Sequence, residues 1–524
     1  MKSKNFFKKT TCVTVAFLMQ LSLFTGCGGT DTSDSKFEPN SKTLYEESSE
    51  NTYDVGCETE TGSYNGYNNS TDINTIDSRE YDYEDENPFH SVETTPYSTF
   101  AADVDTASYS NIRGYIQSGT PVPISAVRIE EMINYFHYDY EPPKDGEPFS
   151  VSMEIGDCPW NSEHKLVQIG LQTEQLDLEK AKPSNFVFLI DTSGSMGDSN
   201  KLPLVQTAFT QLIENLGEND RISIVTYAGS DEVLLSGARG DETDKITAAL
   251  DSLTAYGSTN GSAGINTAYE LAEEYFIKGG NNRVILATDG DLNVGITDEG
   301  GLTKLIEKKK ESNVYFSVLG FGTDNLKDNK LEALADHGNG NYSYIDSVYE
   351  AKRVLVTELG STLHTVAKDV KFQAEFNSAA VSEYRLIGYE NRTMAAEDFD
   401  NDTVDGGEIG AGHRVTVLYE VALTDSSSKL LDLSIRYKEP EGNDSKLLTY
   451  ELTADAYSEE SSDNMKWSSS VAAFGMLLRE SDYSGTADYD MVLTLADSTS
   501  HSDDPLKNEF ISLVKSYAKL NAEE

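Results

Sequence analysis

What most constrains the fold of this chain is a series of short apolar runs separated by helical patterns between residues 184 and 360. Phe186-Val187-Phe188-Leu189-Ile190 has no polar alternation, so it reads as a strand covered on both faces. Leu202, Val205, Ala208, Phe209, Leu212, Ile213 and Leu216 then recur at helical spacing, with Pro203 near the start. Ile222–Tyr227 reads as a strand and Glu232–Leu235 as an edge hairpin partner. Ile246–Leu253 and Ala263–Phe276 read as helices. Val284–Thr288 and Val314–Phe321 are further strands, with a helix over Leu302–Lys310 between them. A helix at Leu331–Ala335 and a strand at Tyr342–Ile345 close the series. Fully apolar strands joined by helices predict a mostly parallel, doubly wound, Rossmann-like α/β sheet.

The flanks follow other periods. Ser108–Gln117 and Ile124–Phe136 read as short helices, and Phe149–Ile155 and Leu166–Leu171 alternate like antiparallel strands. After about residue 365 the period returns to two, in Val370–Phe376, Tyr384–Tyr389, Arg414–Val421, Leu431–Tyr437 and Leu447–Leu452. Helices around Met465–Leu478 and Leu506–Leu520 follow. Strands on both sides of the α/β unit suggest that it is inserted into one β-domain.

Charge narrows the function. The 524 residues carry 41 Lys+Arg and 89 Asp+Glu, a formal net charge of −48. Phosphate binding needs a basic surface, so nucleic acid is an unsuitable partner, and so is an anionic membrane for the body of the protein. Of the four cysteines, Cys12, Cys27, Cys57 and Cys158, none forms a CxxC pair. A disulfide scaffold and a cysteine zinc site are thereby excluded. Pairing of Cys57 with Cys158 stays open.

The N-terminus has the form of an address. Lys2, Lys4, Lys8 and Lys9 precede the mostly apolar 12-residue stretch Val13–Phe24, which is too short to span a bilayer. Leu23-Phe24-Thr25-Gly26-Cys27-Gly28 resembles the lipobox of bacterial lipoproteins. The resemblance implies a signal peptide over 1–26 and a lipid-modified Cys27, hence an extracytoplasmic protein held at the cell membrane by acyl chains alone. Residues 28–95 carry 17 acidic and three basic residues with no apolar period. The segment 27–95 therefore reads as an acidic disordered tether. As a flexible coil it would span roughly 45 Å. The expected plan continues with a helical and β segment over 96–183, the α/β domain over 184–362, and a β-rich domain with terminal helices over 363–524.

The chemistry sits at the strand ends. Asp191-Thr192-Ser193-Gly194-Ser195 follows the first buried strand, and the carboxyl ends of parallel strands form the ligand crevice. Thr259 precedes a helix and Asp289 ends the strand Val284–Thr288. Carboxylates and hydroxyls without nearby His or Cys suit a hard cation, and Mg²⁺ normally keeps open positions. A plain Ser/Gly turn beside two cap acids is the alternative reading. Asp103 and Asp105 offer a second carboxylate pair, as metal ligands or as turn and cap residues.

The Asp-x-Ser-x-Ser loop, Thr259 and Asp289 together resemble the metal-ion-dependent adhesion site of von Willebrand factor type A domains. The resemblance implies that Asp191, Ser193, Ser195, Thr259 and Asp289 hold Mg²⁺, or Mn²⁺ or Ca²⁺ in its place. It also implies a protein partner that offers an Asp or Glu. Tyr97-Ser98-Thr99-Phe100, Asp103-Val104-Asp105-Thr106-Ala107-Ser108-Tyr109 and Arg128-Ile129-Glu130-Glu131-Met132-Ile133-Asn134-Tyr135-Phe136 look like the segment preceding the A domain in bacterial YfbK-like lipoproteins. Tyr384-Arg385-Leu386-Ile387-Gly388-Tyr389-Glu390-Asn391-Arg392 looks like their C-terminal domain.

Three functions compete. The first is a surface binding module that captures an acidic side chain through the cation. The second is an envelope assembly or regulatory scaffold. A domains play that part beside AAA+ ATPases, although ATP is scarce outside the cytoplasm. The third is a hydrolase, against which the chain lacks Gly-x-Ser-x-Gly, HExxH, a Walker A loop and a dinucleotide fingerprint. His337 and His364 stand apart from any nucleophile and read as structural. The binding module, without enzymatic activity, is the reading carried forward.

Overall fold

The computed structural model describes residues 79–102, 105–144, 146–175, 182–257, 261–290, 299–310, 312–323, 326–358, 360, 364–424 and 428–522. Its first part contains strands β1 (His90–Ser91) and β2 (Tyr97–Ala101), helices α1 (Ala107–Ser118) and α2 (Ile129–Asn134), and strands β3 (Phe149–Asp157) and β4 (Lys165–Thr173). The α/β part follows with β5 (Ser184–Asp191), α3 (Leu202–Ile213), β6 (Arg221–Tyr227), β7 (Asp231–Arg239), α4 (Thr243–Asp251) and α5 (Gly261–Glu274). It continues with β8 (Asn281–Thr288), α6 (Glu299–Lys310), β9 (Tyr315–Phe321), α7 (Asp328–His337), β10 (Tyr342–Ile345) and α8 (Val348–Lys352). The last part holds β11 (Thr365–Phe376), β12 (Val381–Ile387), β13 (Gly407–Gly410), β14 (Arg414–Leu423), β15 (Lys429–Lys438) and β16 (Ser445–Thr453). Helices α9 (Asp463–Leu478), α10 (Tyr489–Asp497) and α11 (Pro505–Ala522) end it.

Six strands form the α/β sheet in the order β10-β9-β8-β5-β6-β7, parallel except for the edge strand β7. Alternate residues of β5 feed two cores. Phe186, Phe188 and Ile190 pack with α3 and α4, and Phe188 stacks on Phe209 with centroids 4.1 Å apart. Val187 and Leu189 pack with α5, α6 and α7 on the other face. Both faces are covered, which is why the strands tolerate no polar alternation. The chain moves from β5 to β6 on one side and returns to β8 on the other, so the strand order reverses between β5 and β8.

The flanking segments join in two antiparallel sheets. One has the order β1-β12-β14-β4-β3; the other runs β13-β11-β15-β16, with β2 added on β11. β4 pairs with β14 from Lys165↔Val421 to Gln172↔Arg414, and β2 pairs with β11 from Tyr97↔Glu375 to Ala101↔Lys371. The strands drawn separately along the chain as 96–183 and 363–524 thus share sheets and one apolar core, including Phe100, Val167, Phe372 and Val417. A helical layer built from α1, α2, α9, α10 and α11 covers Leu166, Ile387 and Leu418 on the outer face of the first sheet.

One expectation needs correction. Residues 79–95, assigned to the disordered tether, pack on the body. Glu80 N donates to Leu326 O at 2.9 Å, and Asp328 N donates to Glu80 O at 3.1 Å. The Arg79 guanidinium lies 3.5 Å from the Tyr115 ring centroid, and Val92 is buried. β1 pairs with β12. Charge dominates the composition of this stretch, but Tyr81, Phe89 and Val92 give it apolar anchors that a charge count hides. The signal segment 1–26, the rest of the tether, Cys27 and Cys57 lie outside the described residues. No helix among the described residues is long and apolar enough to cross a membrane.

Candidate functional site

β5 delivers Asp191 to the carboxyl edge of the sheet, where the chain turns through a short loop into α3. Asp191 is fully buried. Its Oδ1 accepts from Ser193 N at 2.8 Å and its Oδ2 from Thr288 Oγ1 at 3.1 Å. The hydroxyls of Ser193 and Ser195 are 3.0 Å apart and hydrogen-bonded to each other. Asp289 follows β8 directly and is buried. Its Oδ2 accepts from Lys201 Nζ at 3.1 Å. Asp191, Ser193, Ser195 and Asp289 therefore meet where the strand order reverses, the place at which an open α/β sheet forms its crevice.

Thr259 lies outside the described residues. The loop leading to it is tied to the Asp-x-Ser-x-Ser segment from both sides. Tyr256 N donates to Thr192 O at 2.8 Å, and Gly194 N donates to Gly257 O at 3.1 Å. Gly257 has φ +86°, a left-handed conformation that glycine adopts without strain.

The electrostatics suit a cation. Burial pushes the Asp191 carboxyl up to about 6, Asp289 adds to the rise, and the hydrogen bonds from Ser193 oppose it. A carboxylate withdrawn from water in this way gains from a positive ion brought beside it. Among the described residues no three His, Cys, Asp or Glu side chains gather as a metal group. The rim set differs in kind, because hydroxyl oxygens supply half of its described donors. An all-oxygen set of two carboxylates and two hydroxyls fits a hard divalent ion.

The other sequence candidates do not join the rim. Asp105 accepts from Tyr342 N at 2.9 Å, at the opposite, amino-terminal end of β10, and from Arg392 at 3.3 Å. It ties segments together, and Asp103 lies outside the described residues. His337 Nδ1 sits 2.7 Å from Ala333 O at the end of α7. Burial pushes His364 down to about 4. Among the described residues the buried Cys158 has no disulfide partner, and burial pushes its thiol up to about 12. Sequence reading missed Lys201. Its signal is a lone lysine directly before the apolar helix α3, a pattern that normally means a solvated cap.

The doubly wound sheet with this rim places the protein among von Willebrand factor type A domain proteins, and the family described as von Willebrand factor type A domain matches residues 185–357. The description von Willebrand factor matches 75–168, and "Uncharacterized protein YfbK, C-terminal" matches 361–520. The Escherichia coli (strain K12) protein YfbK is 41% identical over 465 residues, covering 83% of this chain and 80% of its own. The chain belongs to the YfbK family. Inter-alpha-trypsin inhibitor heavy chain H4 of Sus scrofa is 30% identical over 156 residues, 28% of this chain and 16% of its own. A solved von Willebrand factor type A structure from Catenulispora acidiphila covers 68% of this chain and 88% of its own at 16% identity, with a TM-score of 0.42. Domains of this class generally serve protein interaction and adhesion.

Proposed function

We propose that the protein is a lipid-anchored, extracytoplasmic binding protein. Its A-domain rim holds Mg²⁺, or Mn²⁺ or Ca²⁺, through Asp191, Ser193, Ser195, Thr259 and Asp289. The open position of the ion takes an Asp or Glu carboxylate from a protein partner. The observation that carries this reading is the meeting of two buried carboxylates and two hydroxyls at the strand-order reversal. The acyl chains on Cys27 and the acidic segment up to about residue 78 present the head away from the membrane. The head comprises an A domain over 184–362 set between the segments 96–183 and 363–524. The metal, when bound, supplies a positive centre for an anionic oxygen. The chain's own residues orient the loop and keep it partly dehydrated.

Magnesium calorimetry on wild type and Ser193→Ala tests the site. Binding to the wild type that weakens in the variant supports it, and equal affinity in both refutes it. Partner capture from membrane fractions with and without EDTA tests the use of the site. Capture that survives EDTA would favour the scaffold reading. Cys27→Ser tests the anchor: the variant should leave the detergent phase.

A further inference from the structure

Lys201 is a built part of the rim. Its side chain is 4% exposed, with Nζ 3.1 Å from Asp289 Oδ2 and 3.9 Å from Oδ2 of the exposed Asp198. Its backbone is held as well: Lys201 N donates to Asp198 O at 3.0 Å, and Val205 N donates to Lys201 O at 2.9 Å. The aliphatic stem crosses Gly322, which follows β9 with φ +79°. A Cβ at 322 would stand 2.4 Å from Lys201 Cε and 2.9 Å from Cγ. A side chain there would force the lysine stem to shift, so the passage for the stem is made by a glycine. This is a buried cation in a dedicated slot, unlike a surface lysine that has swung onto a carboxylate.

The charge count then changes. Among the buried groups, Asp191 and Asp289 with Lys201 sum to one negative charge, where the two carboxylates alone would sum to two; Asp198 is exposed and its charge is screened by water. A divalent ion meets less attraction and a repelling ammonium nearby. Once bound, it keeps one net positive charge instead of none. We infer that Lys201 is a resident counter-cation that weakens binding of the divalent ion by itself and leaves the bound ion charged, so that the ion is held firmly only together with an anionic group from outside. The inference rests on the metal reading above and adds to it that metal and acidic ligand bind cooperatively. The reciprocity of linkage makes this measurable with a simple anion: whatever acetate does to magnesium affinity, magnesium does to acetate affinity.

The test is magnesium calorimetry on the whole chain, with and without acetate, for wild type, Lys201→Met and Ser193→Ala. Methionine keeps the stem and removes the charge. Lys201→Met should bind magnesium tighter by roughly tenfold or more, because a like charge a few ångströms away is gone. Acetate should tighten magnesium binding in the wild type and have little effect in Lys201→Met. Lys201→Gln, which keeps a donor beside Asp289 without the charge, is a second variant should methionine fail to fold. Thermal melts should then show a larger rise on magnesium addition for Lys201→Gln than for wild type. Equal or weaker magnesium affinity in the Lys201 variants, with Ser193→Ala weakened, would overturn the counter-cation and leave the metal site standing. No magnesium binding in wild type and Lys201 variants alike would overturn both.

Discussion

Two buried charge clusters serve opposite ends in this molecule. At the rim, Asp191 and Asp289 are both buried and the Lys201 ammonium pairs with Asp289. At the junction between the A domain and its flanks, arginines answer the acids in close geometry. Arg113 of α1 grips Asp346 with two bonds of 2.7 Å, and also meets Glu350 at 2.9 Å and Glu509 at 3.0 Å. Arg128 reaches Glu332 at 2.5 Å and Glu131 at 3.0 Å, and Arg353 reaches Glu350 and Glu358, each at 2.6 Å. At the junction each of these acids meets a guanidinium directly, and the cluster works as a bolt. At the rim the ammonium pairs with Asp289, while the hydrogen bonds to Asp191 come from neutral donors, Ser193 N and Thr288 Oγ1. Burial alone therefore does not set the two clusters apart; the partner each acid meets, a guanidinium or a neutral donor, does.

Breaking the bolt should have the largest effect. Arg113→Met strands the largely buried Asp346, while Glu350 keeps Arg353, a loss of about 3–5 kcal/mol. Denaturant melts should show it, with magnesium affinity of the remaining folded protein unchanged. Asp289→Ala comes next and touches both properties. It removes a ligand and also the carboxylate beside Lys201, so magnesium binding should vanish in calorimetry and the melting temperature should fall. The Lys201 contact is why stability falls along with binding.

Acid sharpens the comparison further. Burial holds His413 and His364 near 4, below an ordinary value of 6.5. Both are neutral when folded and take up protons when unfolded. Their contribution is present above about pH 6.5 and is lost as pH falls toward 4. Arg283 and Asp220 act on His364; Glu358, Arg414, His137 and Arg353 act on His413. Burial would raise Glu358, but Arg353 and His137 outweigh it and bring it to about 2, so its contribution is lost only as pH falls from about 4.5 toward 2. Melting at pH 5 against pH 7 should show a loss that His413→Gln reduces by on the order of 1 kcal/mol. The smallest stability effect belongs to Ser195→Ala, within about 0.5 kcal/mol, because the residue lies on a loop outside the sheet core. Its magnesium affinity should still fall, as calorimetry would show.

Much of this was legible in the sequence. The strand and helix series of the A domain could be read because a strand buried on both faces leaves an unbroken apolar run, and Asp191 and Asp289 stand at the ends of two such runs. Helix α10 was missed, since Val492 and Ala496 are its only fully buried residues and a single i,i+4 pair is too short to establish a period. Strand β13 was missed because four residues containing two glycines carry little pattern.

The sequence by itself determined which faces are buried, where the parallel strands end, and hence where a crevice could lie. Those properties come from spacing within a few residues. Only the tertiary structure decided that β4 pairs with β14 and β2 with β11, that residues 79–95 dock on the body, and that Lys201 passes Gly322 to reach Asp289. Each of those is a choice of partner between groups tens to hundreds of residues apart. The same local pattern permits many partners, and the selection falls to shape and charge complementarity across the folded core.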